Sequence, residues 1–187
     1  RKCAEHPDQL APILRVLAES GGTRFADPKP LRQSLDEAIE AASAPDALDL
    51  AMLRAELANF GIGAAHIHVR LNAAQIHNAV RHDLEFEGDP MQPGQRRRNL
   101  AELENRLAAV EPMQVNFGSV IAEEMSGRRL FMLVAQFLKH VDRETPIRFL
   151  IAETDSHFTV LAALYLARMF GVADRVDISP LFGTPEA

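Results

Sequence analysis

The chain has 187 residues, of which 47% are hydrophobic, which is enough for a sizeable core and argues against global disorder. A formal net charge of −6 argues against nucleic acid or an anionic membrane surface as the main partner. The single cysteine, Cys3, excludes an internal disulfide, and neither a membrane-spanning apolar run nor a secretory pattern is found. We therefore expect a reducing, cytoplasmic location.

Helices are predicted where apolar residues recur at three- and four-residue spacing between glycines, prolines and capping residues. The pair Gly21-Gly22 is expected to stop the first helix, and Asn72 to cap the helix that follows the first strand. Residues 117–141 are long enough for one helix or two, with Gly127 as the expected break. The predicted helices cover residues 8–18, 31–42, 46–60, 72–81, 100–110, 117–141 and 155–170.

Three short strands are predicted between these helices. In the first, apolar side chains alternate with His66, His68 and Arg70, which is the period of a half-buried strand. Short strands separated by helices are typical of parallel βαβ units, so we predict an α/β fold. The predicted strands are 64–72, 147–152 and 176–182.

Arg70 is the first candidate for a functional residue. It lies near the end of its strand, and ligands of parallel α/β sheets bind at the carboxyl edge. A guanidinium there could bind the phosphate or carboxylate of a small molecule. The alternative is a structural ion pair with one of the many acidic residues.

Histidines form the second group of candidates. His66 and His68 are two residues apart on a strand, so both rings face the same way and could hold a metal, although a site needs three or four ligands. The alternative is hydrogen bonding among polar neighbours. His77 and His82 flank a helix end, where a surface role or charge pairing with the helix terminus is favoured over catalysis.

Further candidates follow the second strand or open a helix. Glu153 and Asp155 offer carboxylates at the carboxyl edge, with helix capping as the alternative, and His157 opens the next helix. The run Arg96 to Arg98 could bind phosphates, but such runs are more often solvated helix starts. No dinucleotide fingerprint, nucleophile elbow or cysteine-based zinc pattern is found.

Three stretches in order carry a family resemblance. Over Leu53 to His77, a helix ending in Phe-Gly is followed by a strand and another helix. Over Leu150 to Gly171, a strand with a polar end leads into a helix containing Val-Leu-Ala, and Val176 to Thr184 reads Val-Asp-Ile-Ser-Pro-Leu-Phe-Gly-Thr. This order resembles phosphoenolpyruvate carboxylase, with its Phe-Gly helix end, Asp-Ile-Arg-Gln strand end and Val-Pro-Leu-Phe-Glu-Thr segment. The lead-in from Gly21 to Asp27 also fits the family.

The resemblance implies a (β/α) barrel enzyme that adds bicarbonate to phosphoenolpyruvate and yields oxaloacetate and phosphate with Mg²⁺ or Mn²⁺. It also implies that Arg70 is the family's anion-binding arginine. The fold expected for residues 1–187 is then a single domain, a helix-rich partial (β/α) barrel with about three parallel strands. Its partners would be phosphoenolpyruvate, bicarbonate and either the remainder of a parent chain or other copies in a homo-oligomer.

Several positions depart from the family. His68 and Leu71 replace the Asp and Gln that flank the arginine, and Gly183 stands where the family has a metal-ligating glutamate. Glu186 is nearby but out of register. The Thr-Ala-His-Pro, Gly-Tyr-Ser-Asp-Ser and Gly-Arg-Gly-Gly segments of the family are missing, so we expect 1–187 alone to be inactive. The alternatives are a non-catalytic anion-binding or assembly module, and another barrel enzyme acting on a phosphorylated acid.

Overall fold

The computed structural model describes Pro12, Arg15 and residues 26–63, 65–86 and 92–183. Pro12 and Arg15 are helical, and the rest of the helix predicted over 8–18 lies outside the described residues. So do Cys3, the Gly21-Gly22 pair, Thr184 and Glu186. Among the described residues, no helix has both the length and the apolar character needed to cross a membrane.

Helices outnumber strands along the described chain. The helices are α1 (Lys29–Ala41), α2 (Ala44–Phe60), α3 (Ala73–Asp83), α4 (Arg96–Ala109), α5 (Phe117–Ala122), α6 (Ser126–His140) and α7 (His157–Met169). The strands are β1 (Ile67–Asn72), β2 (Ile147–Ala152) and β3 (Val176–Pro180).

The three strands form one parallel sheet in the order β1-β2-β3. Ile67 of β1 lies beside Ile147 of β2, which lies beside Val176 of β3. The prediction of an α/β fold that is rich in helices and contains three parallel strands is confirmed. The chain divides into two compact units, residues 1–65 with 136–144, and residues 66–135 with 145–187. The assignment of 1–187 to a single domain stays a prediction.

The first unit is built around the packing of α1 on α2. Asp142 is fully buried, and its carboxylate accepts the backbone N–H of Ile62 at 2.8 Å and of Glu144 at 3.0 Å. Glu144 in turn forms an ion pair with Arg32 of α1. Few apolar side chains of these helices are buried, since Leu35 is the only buried residue of α1 and α2 has none. The polar contacts of Asp142 and Glu144 therefore add to the packing of α1 on α2.

The second unit has its core on one face of the sheet. Ile147, Phe149 and Ile151 of β2 are almost completely buried, and the ring of Phe131 from α6 stacks on Phe149 with 4.7 Å between centroids. Gly127 at the start of α6 lies against α3, where an added Cβ would be 2.7 Å from the carbonyl oxygen of Gln75. The absence of a side chain therefore allows the two helices to meet.

Several predicted boundaries are wrong by a few residues. The segment 117–141 forms two helices, but the break falls at 123–125, because Gly127 is needed for the contact between α6 and α3. β1 begins at Ile67, which pairs with the first residue of β2, and β3 ends at Pro180, which pairs with Ile151. α4 begins at Arg96 rather than Leu100.

Candidate functional site

The sheet has one polar face. Because side chains alternate along a strand and the strands are in register, every second residue of each strand lies on the same side. One row consists of His68, Arg148 and Asp177, and the next consists of Arg70, Leu150 and Ser179. We call the surface formed by these six residues the polar face.

The polar face is open among the described residues. His68, Arg70, Arg148 and Asp177 are exposed, whereas the opposite face of β2 is buried under α6. Parallel sheets are normally covered on both sides. An uncovered face carrying charged residues is therefore a candidate for binding a ligand or for lining an enclosed cavity.

Arg70 lies in the carboxyl-terminal half of β1, on the polar face. Among the described residues its guanidinium has no ion pair and no side-chain hydrogen bond. The alternative of a structural ion pair is therefore not seen in this part of the chain. An exposed guanidinium, always charged and with donors arranged for bidentate contacts, can bind a carboxylate or a phosphate. Its role in catalysis stays a prediction.

Arg148 is a candidate that sequence reasoning missed. It occupies β2 in the row next to Arg70, is exposed, and likewise has no partner among the described residues. Strands about 4.8 Å apart with a rise of about 3.3 Å per residue put the Cα atoms of Arg70 and Arg148 about 8 Å from each other. The alternation of Ile147, Phe149 and Ile151 could have signalled that Arg148 belongs to the other face.

Only one of the two histidines that were predicted on the first strand lies within β1. His66 precedes the strand, while His68 lies within it. Among the described residues no group of three or more histidine, cysteine or acidic side chains could hold a metal ion. Gly183 is exposed, and a Cβ added there would meet nothing within 4 Å. The Mg²⁺ or Mn²⁺ that the family resemblance implies stays a prediction, and position 183 offers it no side-chain ligand.

His77 is held in a hydrogen-bonded chain within the second unit. Thr159 donates its hydroxyl to Asp155 at 3.2 Å, so its oxygen accepts from Nε2 of His77 at 2.8 Å. The imidazole also packs edge-on against Phe158, with 5.4 Å between ring centroids. These contacts join α3 to α7 and give His77 and Asp155 structural roles.

The remaining candidates are exposed. Glu153 has a left-handed backbone with φ of 58° in the turn after β2, and His157 opens α7. The run Arg96 to Arg98 forms the exposed first turn of α4, as expected for a solvated helix start. The structure brings none of them into the polar face, whose residues come from the strands themselves.

A second charged feature is the ionic cluster of Arg128, Asp83, Glu123 and Tyr165. Arg128 of α6 forms ion pairs with Asp83 and with Glu123, the latter at 3.1 Å, and Tyr165 donates its hydroxyl to Asp83 at 2.8 Å. The guanidinium carbon also lies 5.5 Å from the ring centroid of Phe170, within cation–π range. The cluster ties α3, α6 and α7 together.

The surroundings of this cluster shift two pKa values. Burial raises the pKa of Glu123, but hydrogen bonds from the Met125 N–H and from Arg128 outweigh it and hold the pKa below its usual value. Burial and the hydrogen bond to Asp83 raise the pKa of the Tyr165 phenol above its usual value. A cavity of about 500 Å³ opens beside the cluster, and Glu123, Asp83 and Arg128 line it.

Comparison with known proteins adds no relative. No family model matches the chain, and neither a curated protein nor a solved structure matches it. The likeness to phosphoenolpyruvate carboxylase therefore rests on the order of sequence motifs along the chain.

Proposed function

We propose that residues 1–187 are part of a phosphoenolpyruvate carboxylase-like (β/α) barrel enzyme, and that Arg70 binds an anionic group of phosphoenolpyruvate. One observation carries the proposal. Arg70 presents an exposed guanidinium, unpaired among the described residues, on the polar face near the carboxyl end of a parallel strand. That edge is where barrel enzymes bind their substrates.

The strand order is compatible with the barrel part of the proposal. In a (β/α) barrel each strand pairs with the next one in sequence, as in the order β1-β2-β3. The same order also occurs within one half of a doubly wound sheet. Helix α6 packs on the apolar face of β2, so the polar face would line the inside of the barrel. The other strands would come from the remainder of a parent chain or from further copies in a homo-oligomer.

In the proposed reaction bicarbonate adds to phosphoenolpyruvate, and oxaloacetate and phosphate are released. A guanidinium such as that of Arg70 can hold a phosphate or carboxylate through two parallel hydrogen bonds, which orients the substrate and stabilises charge that develops on it. The Mg²⁺ or Mn²⁺ implied by the resemblance would need ligands at positions other than 183, because Gly183 has no ligating side chain.

Binding measurements test the role of Arg70. Removal of a charge-assisted contact should weaken phosphoenolpyruvate binding by about 1.5–3 kcal/mol, roughly ten- to a hundred-fold. We expect Arg70→Ala to show this loss in calorimetry of the complete gene product. Arg97→Ala, which removes an exposed arginine from α4, is the matched control. Equal affinities of the two variants would exclude Arg70 as the anchor.

Activity measurements test the reaction. The complete gene product should form oxaloacetate from phosphoenolpyruvate and bicarbonate in a dehydrogenase-coupled assay, and Arg70→Ala should reduce that rate. Residues 1–187 alone should form none, so appreciable turnover by the isolated chain would contradict the proposal.

A non-catalytic anion-binding or assembly module is the second candidate function. The replacement of a metal-ligating glutamate by Gly183 favours it. A complete gene product that binds phosphoenolpyruvate through Arg70 but yields no oxaloacetate with Mg²⁺ or Mn²⁺ present would support this function over the enzyme.

A further inference from the structure

We infer that Arg148 is a second anion-binding residue, and that Arg70 and Arg148 together bind a small molecule that carries two anionic groups a few bonds apart. The inference deepens the proposed function and rests on it for the role of Arg70. The role of Arg148 comes from the register of the sheet and from no family motif.

The two arginines are suited to act on one molecule. They lie on the same face of adjacent strands, one row apart, with Cα atoms about 8 Å from each other by standard sheet spacing. Arg148 is the second residue of β2, so a ligand that contacts both arginines would extend from Arg70 along the polar face towards the amino ends of the strands. Both are exposed, and neither has an ion pair or side-chain hydrogen bond with a described residue. Two flexible cations at this separation can each contact one end of a small ligand.

The other residues of the polar face define the charge that a ligand meets. Asp177 lies beside Arg148 in the register, yet the two side chains form no ion pair within 4.0 Å. Ser179 donates its hydroxyl to the backbone of Asp177 at 3.5 Å, and Leu150 is apolar. Two guanidiniums against one carboxylate leave a positive surplus on the polar face.

This arrangement favours a ligand with two separate anionic groups. A ligand with a phosphate and a carboxylate can give each guanidinium an anionic group of its own, whereas a ligand with one such group must be shared between them. Asp177 places a negative charge beside Arg148 in the register, so removing this charge should favour the binding of an anion. Phosphoenolpyruvate is the probe that has both a phosphate and a carboxylate, and pyruvate, inorganic phosphate and malate separate the contributions of the carboxylate, the phosphate and a second carboxylate.

Calorimetry on the complete gene product tests the inference. Arg148→Ala should weaken phosphoenolpyruvate binding roughly ten- to a hundred-fold and pyruvate binding by less than about three-fold. Arg148→Lys should lie between wild type and Arg148→Ala, because lysine keeps the charge but loses the bidentate geometry. Asp177→Asn should bind phosphoenolpyruvate at least as tightly as wild type. Thermal unfolding checks that each variant is folded.

The outcomes separate the inference from the proposed function. If Arg148→Ala binds like wild type while Arg70→Ala is weakened, the role of Arg148 is overturned and the proposed function stands. If only Arg148→Ala is weakened, Arg148 is upheld and Arg70 is not the anchor. If Arg148→Ala weakens pyruvate binding as much as phosphoenolpyruvate binding, recognition of two anionic groups is overturned. If the wild type binds none of the four probes, both proposals are overturned. Should Arg148→Ala fail to fold, weakened binding by Arg148→Lys supports the inference and wild-type binding by that variant overturns it.

Discussion

Replacement of Arg128 by methionine should destabilise the protein strongly. The side chains of Arg128, Asp83 and Glu123 are only 13%, 18% and 15% exposed, and the arginine forms an ion pair with each carboxylate. Methionine fills similar space but leaves two part-buried negative charges without their cation. Breaking a buried pair from one side costs about 3–5 kcal/mol, which corresponds to a fall of about 6–20 °C in melting temperature for a chain of this size.

Thermal unfolding followed by circular dichroism at pH 7 measures this loss. Arg106→Met is the matched control, since Arg106 is exposed and forms only an i,i+4 pair with Glu102, and it should leave the melting temperature nearly unchanged. A loss of less than about 1 kcal/mol in Arg128→Met would refute the argument that unpaired buried charge dominates.

The loss of stability caused by Arg128→Met should become smaller in acid. The pKa of Glu123 is held below its usual value, so its pairing stabilises the wild type above the unfolded-state pKa of about 4.3 and this stabilisation is lost as pH falls further. This pairing is absent in Arg128→Met. The difference between wild type and variant should therefore be full at pH 7 and shrink as the pH falls below about 4.3, and a constant difference would contradict this account.

Three further substitutions test contacts elsewhere in the second unit. Gly127→Ala should lower the free energy of unfolding in urea by about 1–2 kcal/mol, because its Cβ would clash with the Gln75 carbonyl and overpacking outweighs the better helix propensity of alanine; an increase would refute the close contact. Tyr165→Phe should cost about 1–2 kcal/mol at pH 7 through the lost hydrogen bond to Asp83. Because the pKa of Tyr165 is raised, this contribution is present below pH about 10 and lost above it, so denaturation midpoints of wild type and variant should converge in alkali. Asn72→Ala should cost about 1 kcal/mol in urea unfolding by removing the cap of α3, whereas Asn72→Ser should retain most of it.

Local rules predicted those parts of the fold that depend on neighbouring residues. β2 runs from Ile147 to Ala152 as predicted, because its apolar run is bounded on both sides. Asn72 caps α3 as predicted, with Gln75 completing a capping box, since the cap and its target lie three residues apart. The position of Arg70 on the polar side of β1 was predicted for the same reason, because it follows from alternation within a single strand.

Features that depend on distant residues could not be predicted in this way. The relation of Arg148 to Arg70 requires the register between β1 and β2, which no local pattern encodes. The break falls at 123–125 and not at Gly127, because Gly127 lies within α6 against the carbonyl of Gln75, far away in the sequence. The apolar residues of α2 recur at helical spacing, yet Met52 is 53% exposed. Periodicity indicates which face of a helix is apolar, but not which element packs against that face.

The register of the sheet also bears on how the protein folds. Ile67 pairs with Ile147 about eighty residues later, whereas Ile147 pairs with Val176 only about thirty residues later. Closing a longer loop costs more conformational entropy before any contact repays it. The β2–α7–β3 segment should therefore assemble early and β1 should dock late, so the strand that carries Arg70 would be the last to gain protection from hydrogen exchange during refolding.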